Sequence, residues 1–285
     1  MPLVYCPLPK SRPYSDAGQQ RRTSAKLLTI LMAKRWVIKL GSGLLTRADG
    51  KVDRVQIGRI TDQVAVLMKR GIEVVIVSSG AVAAGMTAMK LSKRPKDARE
   101  LQACATVGQP ELMSVYGTHL ARHKLLGAQM LLTYWDLDSR ACTRNARATL
   151  DLLLKRKKFV PIINENDAIA DEEIRVGDND RLSAHVASLV GADLLVILSG
   201  VNGLMTHSDG SGKLIPAVKE INSSIRALAG GAGSERNVGG MVTKLQAAEI
   251  AAEGKVDTII ANGRRKNVLI ELAANKKIGT RFSLR

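Results

Sequence analysis

A short polar segment, NENDAIADEEIRVGDNDR at residues 164–181, holds seven carboxylates and three asparagines. The whole chain has 26 Asp and Glu against 43 Lys and Arg, so more than a quarter of its acids lie in this segment. Residues 178–180 are placed to cap a following helix, which explains some of them. Residues 164–167 instead end an apolar run, where buried polar groups must pair with one another or with a ligand.

Glycine-containing segments elsewhere have the composition of anion-binding turns. KLGSGLL at 39–45 places Lys39 at the end of an apolar run, before a turn whose N–H groups can hold a phosphate. An ordinary glycine turn would have the same composition, and the segment is neither GxGxxG nor GxxxxGK[ST]. SSGAVAAG at 78–85 fits either an anion site or a simple serine N-cap, and SGVNGLMT at 199–206 is a polar turn suited to a nucleotide.

A second lysine lies where a helix should begin. GGAGSERNVGGMVTKLQAAEIAAEG at 230–254 is a glycine-rich loop followed by helical periodicity, with Lys244 in the first turn. A cation there opposes the helix dipole, and a bound phosphate would remove the conflict. The alternative is a lysine on a solvated face.

These residues need a scaffold that brings distant segments together, and the sequence predicts one. Apolar runs typical of buried strands alternate with helical patterns, such as residues 54–70, 97–125, 181–192 and 243–254. This alternation predicts an α/β fold with a mostly parallel sheet, helices on both faces and ligands at the carboxyl ends of the strands. The predicted strands are WVIKL (36–40), EVVIVSS (73–79), AQMLLTY (128–134), FVPIIN (159–164), LLVILSG (194–200) and TIIAN (258–262).

Composition excludes several classes of protein. No apolar run approaches the ~20 residues that span a bilayer, and three cysteines without a CxxC pair fit a reducing cytosol. A net charge of +17 suits nucleic-acid binding or an anionic small substrate. Only 3% of residues are aromatic and no RNA-binding motif is visible, so nucleic acid is the less favoured partner.

Residues 1–33 differ from the rest and form a basic, proline-containing extension. We expect a disordered extension or a translation start assigned too far upstream, because Met32 directly precedes the first strand. A targeting peptide is the alternative. The remaining residues, 34–285, are expected to form the functional domain.

In this order, the motifs VIKLGSG, VIVSSGAVAAG, GAQMLLTYWD, NARATL, VPIINENDAIA, RVGDNDRLSA and GGMVTKLQAAEIA resemble the amino acid kinase family. The resemblance spans residues 36 to about 262 and is closest to members that phosphorylate the γ-carboxylate of L-glutamate. It implies a three-layer αβα sandwich, ATP and Mg²⁺ as cofactors, a cytoplasmic enzyme of proline biosynthesis, proline as a feedback inhibitor, and a homodimer or homotetramer. Another carboxylate or phosphate acceptor, or a weakly active regulatory homologue, stays open.

The resemblance also implies roles for individual residues. Lys39 and Lys244 match the phosphate-binding lysines, and Asp180 matches the aspartate that orients them. Substrate binding is implied for Ser79, Asp167, Asn179 and Asp178, where the substrate's ammonium group explains the acidic segment. Nucleotide binding is implied for Lys39, Gly41, Ser199, Gly200, Val238, Gly239, Gly240, Met241, Val242, Thr243 and Lys244.

Some features depart from the family pattern. An acid often follows the serine or threonine at the end of the fifth strand, where this chain has Gly200, which predicts weaker nucleotide contacts. Position 43 is glycine where serine is frequent. Many members carry a C-terminal PUA domain, an RNA-binding-type module, which this sequence is expected to lack. We predict no metal site at His119 and His123, despite their spacing, and a packing or subunit contact at Trp135.

Overall fold

Eight strands form one sheet between two layers of helices. The computed structural model describes residues 34–170, 179–230 and 240–284. The strand order is β3-β4-β2-β1-β5-β7-β8-β6, and every neighbouring pair is parallel except β7 and β8. The strands are β1 (Arg35–Leu40), β2 (Glu73–Ser78), β3 (Leu126–Leu132), β4 (Phe159–Glu165), β5 (Leu194–Ser199), β6 (Ala217–Val218), β7 (Asp257–Asn262) and β8 (Thr280–Phe282).

Helices cover both faces of the sheet, so the predicted three-layer αβα sandwich is confirmed. Within the described ranges they are α1 (Ser42–Leu45), α2 (Arg54–Lys69), α3 (Ala81–Ala88), α4 (Ala98–Ala121), α5 (Tyr134–Asp138), α6 (Arg140–Lys155), α7 (Asn179–Leu189), α8 (Ser223–Ala229), α9 (Met241–Glu253) and α10 (Val268–Ala273). None of the described helices combines the length and apolar character needed to cross a membrane. The basic extension at residues 1–33 lies outside the described residues.

The pleat of β1 decides which layer each of its side chains meets. Trp36 and Ile38 pack into the core beneath α2 and α4, whereas Val37 packs into the opposite core with α7 and α9. Side chains alternate along a strand, so Lys39 lies on the same face as Val37. This register directs Lys39 toward the beginnings of α7 and α9.

Helices α3 and α4 meet at two glycines, almost backbone to backbone. A Cβ atom added to Gly85 would lie 1.7 Å from the Cys104 carbonyl oxygen, and one on Gly108 would lie 1.9 Å from that of Ala81. Real Cβ atoms do not approach so closely, so the contact requires glycine at both positions. The contact fixes the helix that follows β2 against its neighbour.

The six predicted strands are all present, within two residues of the expected bounds. The short strands β6 and β8 at one edge were not predicted, and neither was helix α6. The segment EEIRVG at 172–177, whose alternating polarity predicts a short strand, lies outside the described residues.

Candidate active site

Two buried lysines from different parts of the chain meet on one carboxylate. Lys39 lies near the carboxyl end of β1, Asp180 in the first turn of α7 and Lys244 in the first turn of α9. The Nζ of Lys39 is 2.6 Å from Oδ1 of Asp180, and the Nζ of Lys244 is 3.1 Å from its Oδ2. Lys39 and Lys244 are each 4% exposed and Asp180 is 1% exposed. The structure therefore brings together the three residues for which a catalytic role was predicted.

Electrostatics keep this carboxylate ionised. Burial alone would raise the pKa of Asp180, but the charges of Lys39 and Lys244 and hydrogen bonds from Lys39 and Thr243 outweigh burial and lower it. Thr243 Oγ1 lies 2.7 Å from Oδ2 of Asp180. All these groups favour the same charged arrangement, so the cluster is fixed before any ligand binds.

The position of Lys244 needs a different explanation from the one expected. Its burial rules out a solvated helix face. The carboxylate of Asp180 already offsets a cation placed in the first turn of α9, so a phosphate is not required to relieve the conflict with the helix dipole.

A cleft of about 720 Å³ opens at the carboxyl ends of β1 and β5. Both lysines line it together with the turns after the two strands. Of the residues predicted to bind nucleotide, seven line this cleft: Lys39, Gly41, Ser199, Gly200, Gly240, Met241 and Lys244. Val242 is 41% exposed and Thr243 contacts Asp180, both within the first turn of α9. Val238 and Gly239 lie outside the described residues.

Backbone N–H groups at the cleft differ in their availability. Gly240 caps α9 without a side-chain hydrogen bond, and the first N–H groups of a helix have no partner within it. The N–H of Gly41, in contrast, donates to the carbonyl of Leu198 at 3.1 Å. This one N–H of the predicted phosphate-binding turn is therefore already paired. Helix α9 offers the stronger anion-binding terminus.

Beside the lysine cluster lies a pocket of amides and hydroxyls. Nδ2 of Asn179 lies 3.0 Å from the carbonyl of Ser78, 3.0 Å from Oγ of Ser79 and 3.0 Å from Oδ1 of Asn164. Ser79 also lines the 720 Å³ cleft, so the pocket and the cleft share a wall. The turn between them depends on Gly80, whose φ of 109° disfavours any side chain.

An acidic side chain, Asp167, lines a small cavity that is linked to this pocket through Gln109, which lines the cavity and accepts a hydrogen bond from Asn164. Asp167 is 9% exposed, its Oδ1 has no hydrogen-bond partner within the described chain, and the cavity has a volume of about 180 Å³. Burial raises its pKa to about 6, although Arg94 acts in the opposite direction. A buried carboxylate with an unpaired oxygen suits a cationic ligand group. Asp178, predicted to lie beside it, falls outside the described residues.

Two glutamines were not predicted as part of the site. Gln109 is 8% exposed and accepts a hydrogen bond from Asn164 at 2.9 Å, and it donates to Gln129 at 2.9 Å. Gln129 stands in an otherwise apolar stretch, GAQMLL, and that isolation was the only signal in the sequence, whereas Gln109 has Thr106 and Glu111 nearby and does not stand out.

Of the two histidines considered as metal ligands, His123 has a local partner, whereas Nδ1 of His119 is buried without a hydrogen-bond partner in the described chain. His123 contacts Asp62 at 2.7 Å, and the described part of the chain contains no group of three side chains arranged to hold a metal ion.

Trp135 is 65% exposed, so little of its side chain is buried against its own sheet edge. Its neighbour Asp136 forms a capping box with Thr133.

Comparison with known proteins agrees with this architecture. Residues 34–262 match the amino acid kinase family. The chain is 44% identical over 252 residues to the glutamate 5-kinase of Streptococcus suis, covering 87% of this chain and 70% of the relative. It is 47% identical over 257 residues to that of Burkholderia ambifaria, covering 89% of this chain and 68% of the relative.

Solved structures share the fold at low sequence identity. Carbamate kinase from Giardia lamblia bound to AMP-PNP has a TM-score of 0.59 and 20% identity, covering 90% of this chain and all of that one. UMP kinase from Bacillus anthracis has a TM-score of 0.58 and 17% identity, covering 88% of this chain and 96% of that one. The match of residues 34–262 to the family and the identity with the two glutamate 5-kinases establish that the chain belongs to the amino acid kinase family.

Proposed function

We propose that the protein transfers the γ-phosphoryl group of ATP to the γ-carboxylate of L-glutamate, the first step of proline biosynthesis. The product is γ-glutamyl phosphate. The observation that supports this most is the contact of Lys39 and Lys244 with one buried carboxylate, Asp180, at a cleft that shares Ser79 with the polar pocket of Asn179. The relatives that match most of the chain are named for this activity.

The reaction depends on alignment of the two anionic reactants and on stabilising charge more than on proton transfer. A carboxylate is already a nucleophile, so no general base is needed, and the protein must align two anions and offset their charge. Lys39 and Lys244 supply fixed positive charge, and Asp180 holds their side chains in position. Donors that are already oriented lower the barrier because they need no reorganisation during the reaction.

ATP fits the 720 Å³ cleft, with its phosphates at the lysines and at the beginning of α9. Ser199 and Gly200 would lie beside the rest of the nucleotide. Among the described residues that line the cleft, Asp209 is the only carboxylate. This donor set suits Mg²⁺ held mainly by the nucleotide phosphates and water, where it would offset their charge.

L-Glutamate fits the adjoining polar pocket. Its ammonium group would pair with Asp167, whose Oδ1 is otherwise unpartnered, and with the amide oxygen of Asn179, which is also buried without a partner in the described chain. Ser79, at the wall shared with the cleft, would help to hold the substrate near the lysines.

A coupled assay of ADP release with Mg·ATP and candidate acceptors tests this proposal. We expect release that depends on L-glutamate and is abolished in Lys244→Ala. ADP release with another carboxylate or phosphate acceptor, but not with glutamate, would assign a different substrate. No release with any acceptor, despite ATP binding, would favour a regulatory homologue.

We also propose a cytoplasmic homo-oligomer that binds proline at the glutamate site. These points rest on the family resemblance alone. Light scattering tests the assembly, and competition between proline and glutamate for the purified protein tests the shared site.

A further inference from the structure

An unbroken line of side-chain amides runs from the polar pocket to the exposed edge of the sheet. It passes from Asn179 through Asn164 and Gln109 to Gln129 on β3, with three hydrogen bonds of 2.9–3.0 Å. Asn164, Asn179 and Gln109 are buried, whereas Gln129 is exposed. We call these four residues the amide chain. We propose that Gln109, supported by Gln129, is a positioning residue that fixes the amide of Asn179 for binding the substrate's ammonium group.

The direction of the amide chain is set by a backbone group. The N–H of Glu165 donates to Oδ1 of Asn164 at 3.0 Å. A backbone N–H can only donate, so the atom facing it must be the amide oxygen. Nδ2 of Asn164 must then face Gln109 and donate to its Oε1. Gln109 in turn presents its own Nε2 to Oε1 of Gln129.

The oriented oxygen of Asn164 also fixes Asn179, at the other end of the amide chain. Oδ1 of Asn164 also accepts from Nδ2 of Asn179, whose NH₂ group is held as well by the carbonyl of Ser78. The carbonyl oxygen of Ser78 and Oδ1 of Asn164 can only accept, so the group that faces them must be the NH₂ group of Asn179. Its oxygen must take the opposite side, where it is buried without a hydrogen-bond partner in the described chain. A buried acceptor without a donor is costly, so this oxygen suits a cationic donor from a ligand.

Gln109 is the acceptor on which this order depends. Within the described residues, Nδ2 of Asn164 has Gln109 as its hydrogen-bond partner. If that acceptor is removed, the buried NH₂ group of Asn164 is left without a partner, which costs about 1–3 kcal/mol. The Asn164 side chain then gains by shifting toward another acceptor, and this weakens the hydrogen bonds that its oxygen accepts from Glu165 and Asn179. The Asn179 amide then loses its fixed orientation, although neither asparagine has been altered.

This inference rests on the proposed glutamate-binding function and specifies how its pocket is ordered. The main test compares Gln109→Met, which removes both hydrogen bonds at similar length, with Gln109→Glu, which keeps an acceptor for Asn164. We expect Gln109→Met to raise the KM for L-glutamate roughly tenfold or more while leaving the KM for ATP within about twofold. Gln109→Glu should restore most of the affinity for glutamate.

Gln63 provides a matched control for loss of stability. It is 6% exposed, donates to the carbonyl of Arg59 and accepts from the N–H of Leu269, so its hydrogen bonds join α2 to the beginning of α10 and do not reach the polar pocket. Gln63→Met should lower the melting temperature without changing the ratio of the two KM values. An equal rise in glutamate KM in both methionine variants would overturn the proposal.

A double-mutant cycle checks that Gln109 acts through Asn164. In an Asn164→Ala background, Gln109→Met should have no further effect on the affinity for glutamate, because the group it orders is gone. Fully additive effects would overturn the positioning role.

Calorimetric titration with L-glutamate in the absence of ATP separates this inference from the proposed reaction. Binding without turnover in the wild type would refute phosphoryl transfer, and the ratios of glutamate Kd between variants would still decide the role of Gln109. Turnover in the wild type with an unchanged glutamate Kd in Gln109→Met would refute the positioning role alone.

Discussion

Lys39 and Lys244 contact opposite oxygens of a single buried carboxylate, at 2.6 Å and 3.1 Å from Asp180. One lysine comes from a strand and the other from a helix that begins about two hundred residues later in the chain. A site with its cations already fixed in this way does not have to reorganise when charge moves during phosphoryl transfer.

Replacing either lysine tests this arrangement directly. Lys39→Met and Lys244→Met should each lower kcat by roughly 10²–10³, the usual loss when one oriented charge donor is removed. The exposed Lys277, which does not line the cleft, gives the control Lys277→Met, and its kcat should be unchanged. Near-normal turnover in both cluster variants would contradict the proposed role, and steady-state ADP release measures it.

The raised pKa of Asp167, about 6, predicts a pH-dependent affinity for glutamate. An ammonium group binds the ionised carboxylate, so the KM for glutamate should be flat above pH 7 and rise about tenfold per pH unit below pH 6. Asp167→Asn should have a large glutamate KM that no longer depends on pH in this range. A wild-type KM that stays constant from pH 5 to pH 8 would exclude Asp167 as the ammonium partner.

The same residue should oppose folding at neutral pH. Because the folded-state pKa lies above the ordinary value of 3.8, the protein is most stable below about pH 4 with respect to this group. It loses that stability as the pH rises to about 6, and loses no more above it. Asp167→Asn should therefore be more stable than the wild type at pH 7, by up to about 3 kcal/mol, but not at pH 4. Urea unfolding at both pH values measures the difference.

Two glycines on the same helix should respond in opposite ways to alanine. Gly108→Ala puts a methyl group 1.9 Å from the carbonyl oxygen of Ala81, so α3 and α4 must separate, at a cost of several kcal/mol. Gly117 has nothing within 4 Å of an added Cβ, and Gly117→Ala should stabilise α4 by up to about 1 kcal/mol. Thermal unfolding compares the two, and equal stability would show that the helices are not in close contact.

Gly200 marks the place where many family members have an acid. An added Cβ would meet nothing within 4 Å, so Gly200→Asp can be accommodated in the cleft wall. If the carboxylate reaches nucleotide hydroxyl groups, the KM for ATP should fall several-fold, equivalent to about 1 kcal/mol, while the KM for glutamate stays constant. An unchanged or higher KM for ATP would remove the explanation of Gly200 as a lost nucleotide contact.

The sequence predicted the parts of the protein that depend on local pattern. Continuous apolar runs located the long strands, because strands buried on both faces need such runs. Strand β6, with two residues, is too short to show a period, and it forms by pairing with β8 at the far end of the chain. Long-range pairing of this kind leaves no local signal.

In the candidate site, too, the sequence indicated what has a local pattern and missed what depends on long-range contacts. Lys244 was conspicuous because it breaks a local rule at a helix N-terminus, yet its partner Asp180 could not be deduced from that conflict. Gln109 broke no rule at all, since a glutamine in a helix is ordinary. Its importance comes from contacts with β3 and β4, which only the folded chain brings within reach.

The crossing of α3 and α4 at Gly85 and Gly108 restricts how this protein can change over generations. Substitutions in the loops around the cleft can alter which phosphoryl acceptor is favoured without disturbing the scaffold. An added methyl group at either glycine would displace the turn after β2 and distort the polar pocket for every substrate. New substrate specificities should therefore arise from substitutions at the rim of the cleft. Laboratory evolution directed at the rim will lose the fewest variants to a disrupted scaffold.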